Sequence, residues 1–195
     1  MSKFTKPEKS WILYDVANSA FTMLISTTIP IFFRSLAEQD VSASTASGIW
    51  ALTTSVAVLI LAVLSPFLGA LADYKGMKKK MFSLFLLVGV IGLLLLSFSG
   101  NWISYMILFV ITRIGYSACN IFYDSMLVDV TADDRMDRIS SYGYALGYIG
   151  SCIPFIIGIL LILVRPFGLS TQAATQISFV ITALWWVGLT IPLLK

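Results

Sequence analysis

The sequence predicts an all-α protein that crosses a membrane six times. Hydrophobic residues make up 58% of the chain and charged residues only 12%, whereas about a quarter of the residues in a soluble domain are charged. The mean hydropathy of +0.89 agrees with this composition. The apolar runs are continuous and reach about 20 residues, enough for a helix to cover roughly 30 Å of hydrocarbon, whereas barrel strands alternate over about ten residues. The 195 residues accommodate six such helices with short connections.

The spans follow from apolar runs that are separated by polar or turn-forming segments. Asp15 and Asn18 interrupt the start of the first run and no small-residue cleavage site follows it, so we read it as an uncleaved span. Prolines inside spans are tolerated as kinks. The predicted spans are 11–34, 47–72, 81–99, 102–127, 141–164 and 173–194. The connections are the segments 38–46, 73–80, 99–101, 131–138 and 165–168.

Positive charge determines the predicted orientation. If the N-terminus is cytoplasmic, ten cations face the inside and only Arg34 and Arg165 face the outside, as the positive-inside rule requires. Both chain ends are then cytoplasmic, and the chain is expected to be a multi-pass protein of the plasma membrane that contacts the lipid bilayer. The ten inner cations are Lys3, Lys6, Lys9, Lys75, Lys78, Lys79, Lys80, Arg135, Arg138 and Lys195.

Several functional classes are not expected. The chain has no histidine, and Cys119 and Cys152 lie in separate apolar runs, so we predict no metal, no redox site and no cofactor. The cations lie in short loops rather than on a folded basic face, so no nucleic-acid partner is expected. Since no nucleophile stands with a base, an enzyme is not expected either.

Spans one and four carry polar stripes at helical spacing. In span one, polar residues stand at offsets 0, 3, 4, 7 and 11 from Asp15, and in span four at offsets 0, 4, 7 and 11 from Arg113. Two polar stripes on otherwise apolar helices predict a shared hydrated interior that forms a pathway for a small-molecule substrate. Spans three and six carry no charge in their apolar runs, so we expect them to face lipid over much of their circumference. The predicted pathway residues are Asp15, Asn18, Thr22, Arg113, Ser117, Asn120 and Asp124.

Arg113 is the most unusual of these residues. It lies about eleven residues into span four and therefore some 16 Å deep, near the bilayer midplane. A central arginine costs about 2.5–3.5 kcal/mol, so it should point into the bundle. It then either holds helices together as an ion pair or binds a carboxylate or other anion of the substrate, and we favour binding. The carboxylates of Asp15, Asp124 and Asp129 are candidates to take up a coupling proton, or else they lie at solvated helix ends.

Span five carries small residues on one face. Gly143, Gly147, Gly150, Pro154 and Gly158 follow one another at spacings of four, three, four and four, which favours close helix packing over a substrate path. A set of aromatic residues near the inner ends of the spans fits a gate or an interfacial belt. These are Tyr14, Tyr116, Phe122, Tyr123, Tyr142 and Tyr144.

The segment 69–80 reads G-x-x-x-D-x-x-G-x-K-K and resembles the loop signature of the major facilitator superfamily. Segments 11–21, 120–129 and 140–150 are similar to the branch that contains the fungal autophagy-related vacuolar amino-acid effluxers and their bacterial relatives. This resemblance implies a secondary transporter with alternating access, an inverted three-plus-three repeat, and efflux of amino acids or similar solutes. The pattern departs at Asp124, where the branch has asparagine. The implied conformational latch is Gly69, Asp73, Gly76, Lys79 and Lys80.

The superfamily has about twelve spans, which sets the expected domain organisation. Residues 1–195 correspond to the N-terminal six-helix bundle, and the C-terminal six-helix half is absent. A missing half or a second copy of the chain would complete the pathway, because the two halves are related by an axis along the membrane normal. The alternative is a non-transporting membrane scaffold or regulator that keeps the half fold.

Overall fold

The computed structural model describes residues 4–195, which form helices and short connections and include no strand. Within this range six helical segments are long and apolar enough to cross a membrane, so the predicted fold class is confirmed. Lys3, one of the predicted inner cations, lies outside the described residues. The helices are α1 (Lys6–Ser26), α2 (Thr28–Ala37), α3 (Ala43–Ala72), α4 (Met77–Ser97), α5 (Trp102–Ser125), α6 (Leu127–Val130), α7 (Met136–Val164) and α8 (Thr171–Leu194).

The first span consists of two helices, α1 and α2, joined at a break. Thr27 has φ −134° and ψ −78°, outside the helical region. The break follows from Pro30, which has no N–H to donate to the carbonyl of Ser26 and whose ring collides with that carbonyl in a straight helix. At its other end α1 begins with a capping box in which Thr5 and Glu8 bond each other's backbone N–H groups.

The packing of the spans has an internal symmetry. Helix α1 packs on α7 and α8, helix α5 packs on α3 and α4, and α4 packs on α8. Span one thus packs on spans five and six, and span four packs in the same way on spans two and three. Exchanging the first three spans for the last three therefore reproduces these contacts. Since span four runs opposite to span one, this arrangement supports the predicted inverted three-plus-three repeat.

Spans three and six are less than half buried, as the expected contact with lipid requires, but they are not the most exposed spans of the bundle. In their most apolar stretches, 44% of α4 and 39% of α8 are buried, but only 22% of α3 and 22% of the span Asp133–Val164. Spans two and five are therefore the least covered within this bundle. An absence of charge shows that a helix can face lipid, but the packing of the other helices decides which one does.

Candidate functional site

A cleft of about 470 Å³ lies between α1, α5 and α7. It is at the end of the bundle where α1 and α7 begin and α5 ends, which is also the end that carries the segment 73–80. Carboxylate, amide, hydroxyl and aromatic side chains form most of its wall. Those of α1 and α5 are Trp11, Asp15, Asn18, Ser19, Thr22, Tyr116, Asn120, Tyr123 and Asp124, and those of α7 are Ser140, Tyr144, Tyr148 and Ser151.

The structure brings five of the seven predicted pathway residues together at this cleft. They are Asp15, Asn18, Thr22, Asn120 and Asp124. Asp15 and Asn18 are buried in the wall, whereas Asp124 and Thr22 are exposed. Arg113 and Ser117 do not line the cleft. A role of all seven in transport stays a prediction.

Tyr116 connects the polar stripes of α1 and α5. Its hydroxyl donates to Asn18 Oδ1 at 2.9 Å and shares a hydrogen bond of 2.7 Å with Thr22 Oγ1. One turn nearer the start of α1, the single proton of the Tyr14 hydroxyl is shared between Cys119 Sγ at 3.2 Å and Asn120 Oδ1 at 3.4 Å. Tyrosines of each helix therefore bond the polar stripe of the other helix.

Trp11 and Tyr123 hold α1 and α5 together nearer the helix ends. The indole N–H of Trp11 donates to the Tyr123 carbonyl, and the Tyr123 hydroxyl donates to the Trp11 carbonyl, each at 3.2 Å. Their rings stack with centroids 4.4 Å apart. The sequence pattern does not distinguish Trp11 or Tyr148 as cleft residues, because an aromatic residue near a span end also fits an interfacial belt.

Arg113 reaches the cleft only through Tyr116. Its guanidinium carbon lies 6.0 Å from the centroid of the Tyr116 ring, at the limit of a cation–π contact. Its Nε atom is buried without a hydrogen-bond partner among residues 4–195. Neither the ion-pair interpretation nor direct binding of a substrate anion follows from these contacts, and the latter stays a prediction.

The small face of α7 lies against α1 behind the cleft. A Cβ atom on Gly143 would stand 2.9 Å from Asp15 Oδ2 and 2.9 Å from the Trp11 ring, and one on Gly147 would stand 2.8 Å from Ser19 Oγ. Gly150 faces Val16 in the same way, and Gly158 faces α8. Pro154 is buried on this face. These contacts are those of helix packing, and they position the α7 side of the cleft.

The predicted latch segment lies on an open surface. Gly76 has φ +79°, a left-handed conformation that glycine adopts without strain, and it immediately precedes α4. A Cβ atom on Gly69 would meet nothing within 4 Å, and Asp73, Lys79 and Lys80 are exposed. Within residues 4–195 no other helix packs against Gly69, and the latch stays a prediction.

Lys78, a neighbour of the predicted latch lysines, makes the ionic contact of this segment. Its Nζ atom donates to Asp129 Oδ2 at 2.7 Å and to the Ser125 carbonyl at 2.8 Å. It thereby joins the start of α4 to the end of α5. The segment contains several lysines, and no pattern in the sequence distinguishes Lys78 from the others.

Glu8 is a buried acid that the sequence analysis missed. Its carboxylate accepts hydrogen bonds from the Thr5 N–H at 2.7 Å, from Thr131 Oγ1 at 2.7 Å and from Arg135 Nη2 at 2.8 Å. The side chain of Glu8 is only 2% exposed. This contact joins the start of α1 to the connection between spans four and five.

Comparison with known proteins identifies relatives over the whole chain. The family model for vacuole effluxers like Atg22 matches residues 40–195. An uncharacterized MFS-type transporter of Bacillus subtilis (strain 168), YxiO, is 45% identical over 202 residues, which cover 100% of this chain and 47% of that protein. An uncharacterized protein of Aquifex aeolicus (strain VF5) is 27% identical over 150 residues, or 75% of this chain and 36% of that protein. The chain thus spans half or less of the length of these curated relatives. No solved structure matches it significantly.

Proposed function

This chain belongs to the Atg22-like vacuole effluxer family of major facilitator transporters, and we propose that it forms the N-terminal half of a secondary transporter. The resemblance seen in the sequence is thereby confirmed, and the chain is a multi-pass membrane protein of a transporter family. In this proposal it moves amino acids or similar small solutes by alternating access, coupled to a proton, and has no enzymatic activity.

The cleft between α1, α5 and α7 is the observation that supports this function best. Its volume of about 470 Å³ suits a small solute. Polar side chains in the membrane-spanning part of a bundle mark substrate or ion pathways by default. Alternating access requires a site whose affinity differs between two states. Asp15 and Asp124 are the candidates for the coupling proton, because both carboxylates lie in this cleft.

The proposal that the chain is one half of a transporter is supported by its length and its exposure. It covers 47% of the Bacillus relative, and spans two and five are the least buried. The cleft is lined by only one bundle. A C-terminal half or a second copy would supply the opposite wall and cover the latch residues Gly69, Asp73, Gly76, Lys79 and Lys80.

We further propose that both chain ends face the cytoplasm in the plasma membrane. Within residues 4–195, helices that begin or end near Lys6, Lys9, Lys75, Arg135 and Lys195 meet at one end of the bundle. Arg34 and Arg165 lie at the opposite end. This asymmetry supports a cytoplasmic location for the lysine-rich end and for the cleft.

Water access to the cleft tests the proposed pathway. Cys119 and Cys152 are replaced with alanine, and a spin label is placed at Thr22 or Asn120, with Leu87 on the exposed face of α4 as the control. We expect a water-soluble nickel chelate to relax the two cleft labels, and membrane-dissolved oxygen to relax the label at Leu87. Cleft labels that respond only to oxygen would contradict a hydrated pathway.

Solute flux tests transport itself. The transporter is purified as the cell makes it, reconstituted in liposomes and supplied with radiolabelled amino acids. We expect Asn120→Leu to reduce flux at least tenfold, because an amide of the cleft wall becomes apolar, while Asp133→Asn in the exposed connection leaves flux unchanged. Equal flux through the wild type and Asn120→Leu would count against this pathway. The absence of any solute-dependent flux would favour the scaffold or regulator.

A further inference from the structure

We infer that the cleft between α1, α5 and α7 selects a solute that carries an organic cation, such as an ammonium or guanidinium group. This inference rests on the proposed transport function and specifies its substrate class. It is carried by two carboxylates without partners in a cleft whose other walls are aromatic and neutral polar. Each of these properties is a feature of the cleft itself.

The charge of the cleft is negative. Asp15 and Asp124 line it, and no lysine, arginine or histidine of residues 4–195 does so. Asp15 is only 9% exposed. Within the described part of the chain, neither carboxylate accepts a hydrogen bond or forms an ion pair. A buried carboxylate without a partner is costly, so a bound cation would stabilise the cleft and an anion would be repelled.

The aromatic side chains of the cleft add a second attraction for cations. Trp11, Tyr116, Tyr123, Tyr144 and Tyr148 all line it. The face of an aromatic ring attracts an ammonium or guanidinium group that lies within about 6 Å of the ring centre. Arrangements of this kind recognise organic ammonium ions, whereas a small inorganic cation is held by a shell of oxygen ligands. The residues 4–195 contain no group of three or more carboxylate, thiol or imidazole side chains suited to a metal.

Arg113 does not cancel this selectivity. It is absent from the cleft wall, and its guanidinium carbon lies 6.0 Å from the centroid of the Tyr116 ring. The positive charge is thus adjacent to one wall, while the two carboxylates belong to the wall itself. A substrate in the cleft contacts Asp15 and Asp124 before it contacts Arg113.

A pair of ligands with similar shape and opposite charge tests the inference. Binding of 2-phenylethylammonium and of 3-phenylpropanoate to the protein in nanodiscs of neutral lipid is measured by calorimetry, with empty nanodiscs as the reference for partition into the bilayer. We expect the ammonium compound to bind at least tenfold more tightly than the carboxylate. Equal affinity, or tighter binding of the carboxylate, would overturn the inference without any mutation.

Two variants locate the binding site of the cation. Asp15→Asn and Asp124→Asn should each weaken binding of 2-phenylethylammonium about tenfold, equivalent to about 1.4 kcal/mol, while the exposed control Asp133→Asn should leave it unchanged. Asp124 is exposed at the end of α5, so Asp124→Asn will fold even if Asp15→Asn does not. If both variants fold and both bind 2-phenylethylammonium as tightly as the wild type, the inference is overturned. If Asp15→Asn does not fold, unchanged affinity in Asp124→Asn is enough to overturn it.

The failure of this inference is distinguishable from a failure of the proposed function. Suppose that the cleft is hydrated and that Asn120→Leu reduces solute flux, but that the protein shows no preference for the ammonium compound. Only the cation selectivity would then be overturned. A cleft that excludes the nickel chelate would contradict the pathway itself. Sodium ions that compete with 2-phenylethylammonium at equal concentration would also overturn the inference, because the aromatic walls would then add no preference for an organic cation.

Discussion

At the scale of single residues, a pair of glycines lets the backbones of α4 and α5 approach closely. A Cβ atom on Gly115 of α5 would stand 2.6 Å from the backbone nitrogen of Gly89 on α4 and 2.9 Å from its Cα atom. A Cβ atom on Gly89 would in turn stand 2.6 Å from the ring of Trp186. In membranes, helices associate through such small residues because backbones can then pack closely. Helices α4 and α5 therefore depend on glycine as α1 and α7 do.

Gly115→Ala should destabilise the bundle by about 1–3 kcal/mol, since the added methyl group meets backbone that no rotamer change can move. Gly188→Ala on α8 is the matched control, because a Cβ atom there meets nothing within 4 Å. It should be neutral or stabilising by up to about 1 kcal/mol from helix propensity alone. The measurement is thermal unfolding in detergent, followed by circular dichroism. Equal melting temperatures for the two variants would contradict the close contact.

The sequence predicted part of the cleft at this scale, for a reason that residue spacing makes clear. Helical periodicity places Asp15, Asn18 and Thr22 on one face, and the structure brings that face to the cleft. The same periodicity put Arg113 and Asn120 on one face of span four. Periodicity gives the face of a helix on which a side chain lies, but it does not give how far a cleft extends along that helix. Arg113 lies beyond Tyr116, whose hydrogen bonds to α1 cross the gap.

At the scale of elements, Glu8 joins two segments that are far apart in the sequence. Its partners Thr131 and Arg135 lie 123 and 127 residues away. No local pattern could predict this pairing, because each partner also fits a solvated loop or helix end. By contrast, the limits of the spans followed well from the apolar runs, and the break at Thr27 has a local cause in Pro30.

Glu8→Gln should cost about 1–3 kcal/mol of unfolding free energy, because Arg135 and Thr131 lose a charged acceptor in a buried setting. A double-mutant cycle with Arg135→Gln measures the coupling between the two side chains in detergent unfolding experiments. The matched control is the exposed pair Arg34–Glu38, whose side chains are 57% and 39% exposed. There Glu38→Gln should cost no more than about 1 kcal/mol. A Glu8 variant as stable as the control variant would refute the role of this contact.

At the scale of the whole molecule, the helices α3 and α7 present long apolar stripes to their surroundings. On α3 the exposed residues include Leu52, Val56, Leu59, Val63 and Phe67, at spacings of four, three, four and four. The exposed residues of α7 repeat in the same way. Lipid satisfies an apolar stripe as well as another protein does, so the sequence of one bundle could not indicate which spans a partner covers.

Photo-crosslinking in native membranes tests whether a second bundle covers these stripes. We expect p-benzoylphenylalanine at Val56 on α3 and at Ile153 on α7 to form crosslinks to protein, because the proposed half transporter packs these spans against its missing half or a second copy. Leu87 on α4, which is 56% exposed, is the control and should crosslink only to lipid. A crosslink within one polypeptide chain would identify a continued chain as the partner, and a dimer-sized product would identify a second copy. If all three positions crosslink only to lipid, the bundle is alone in the membrane and the proposed half transporter is wrong.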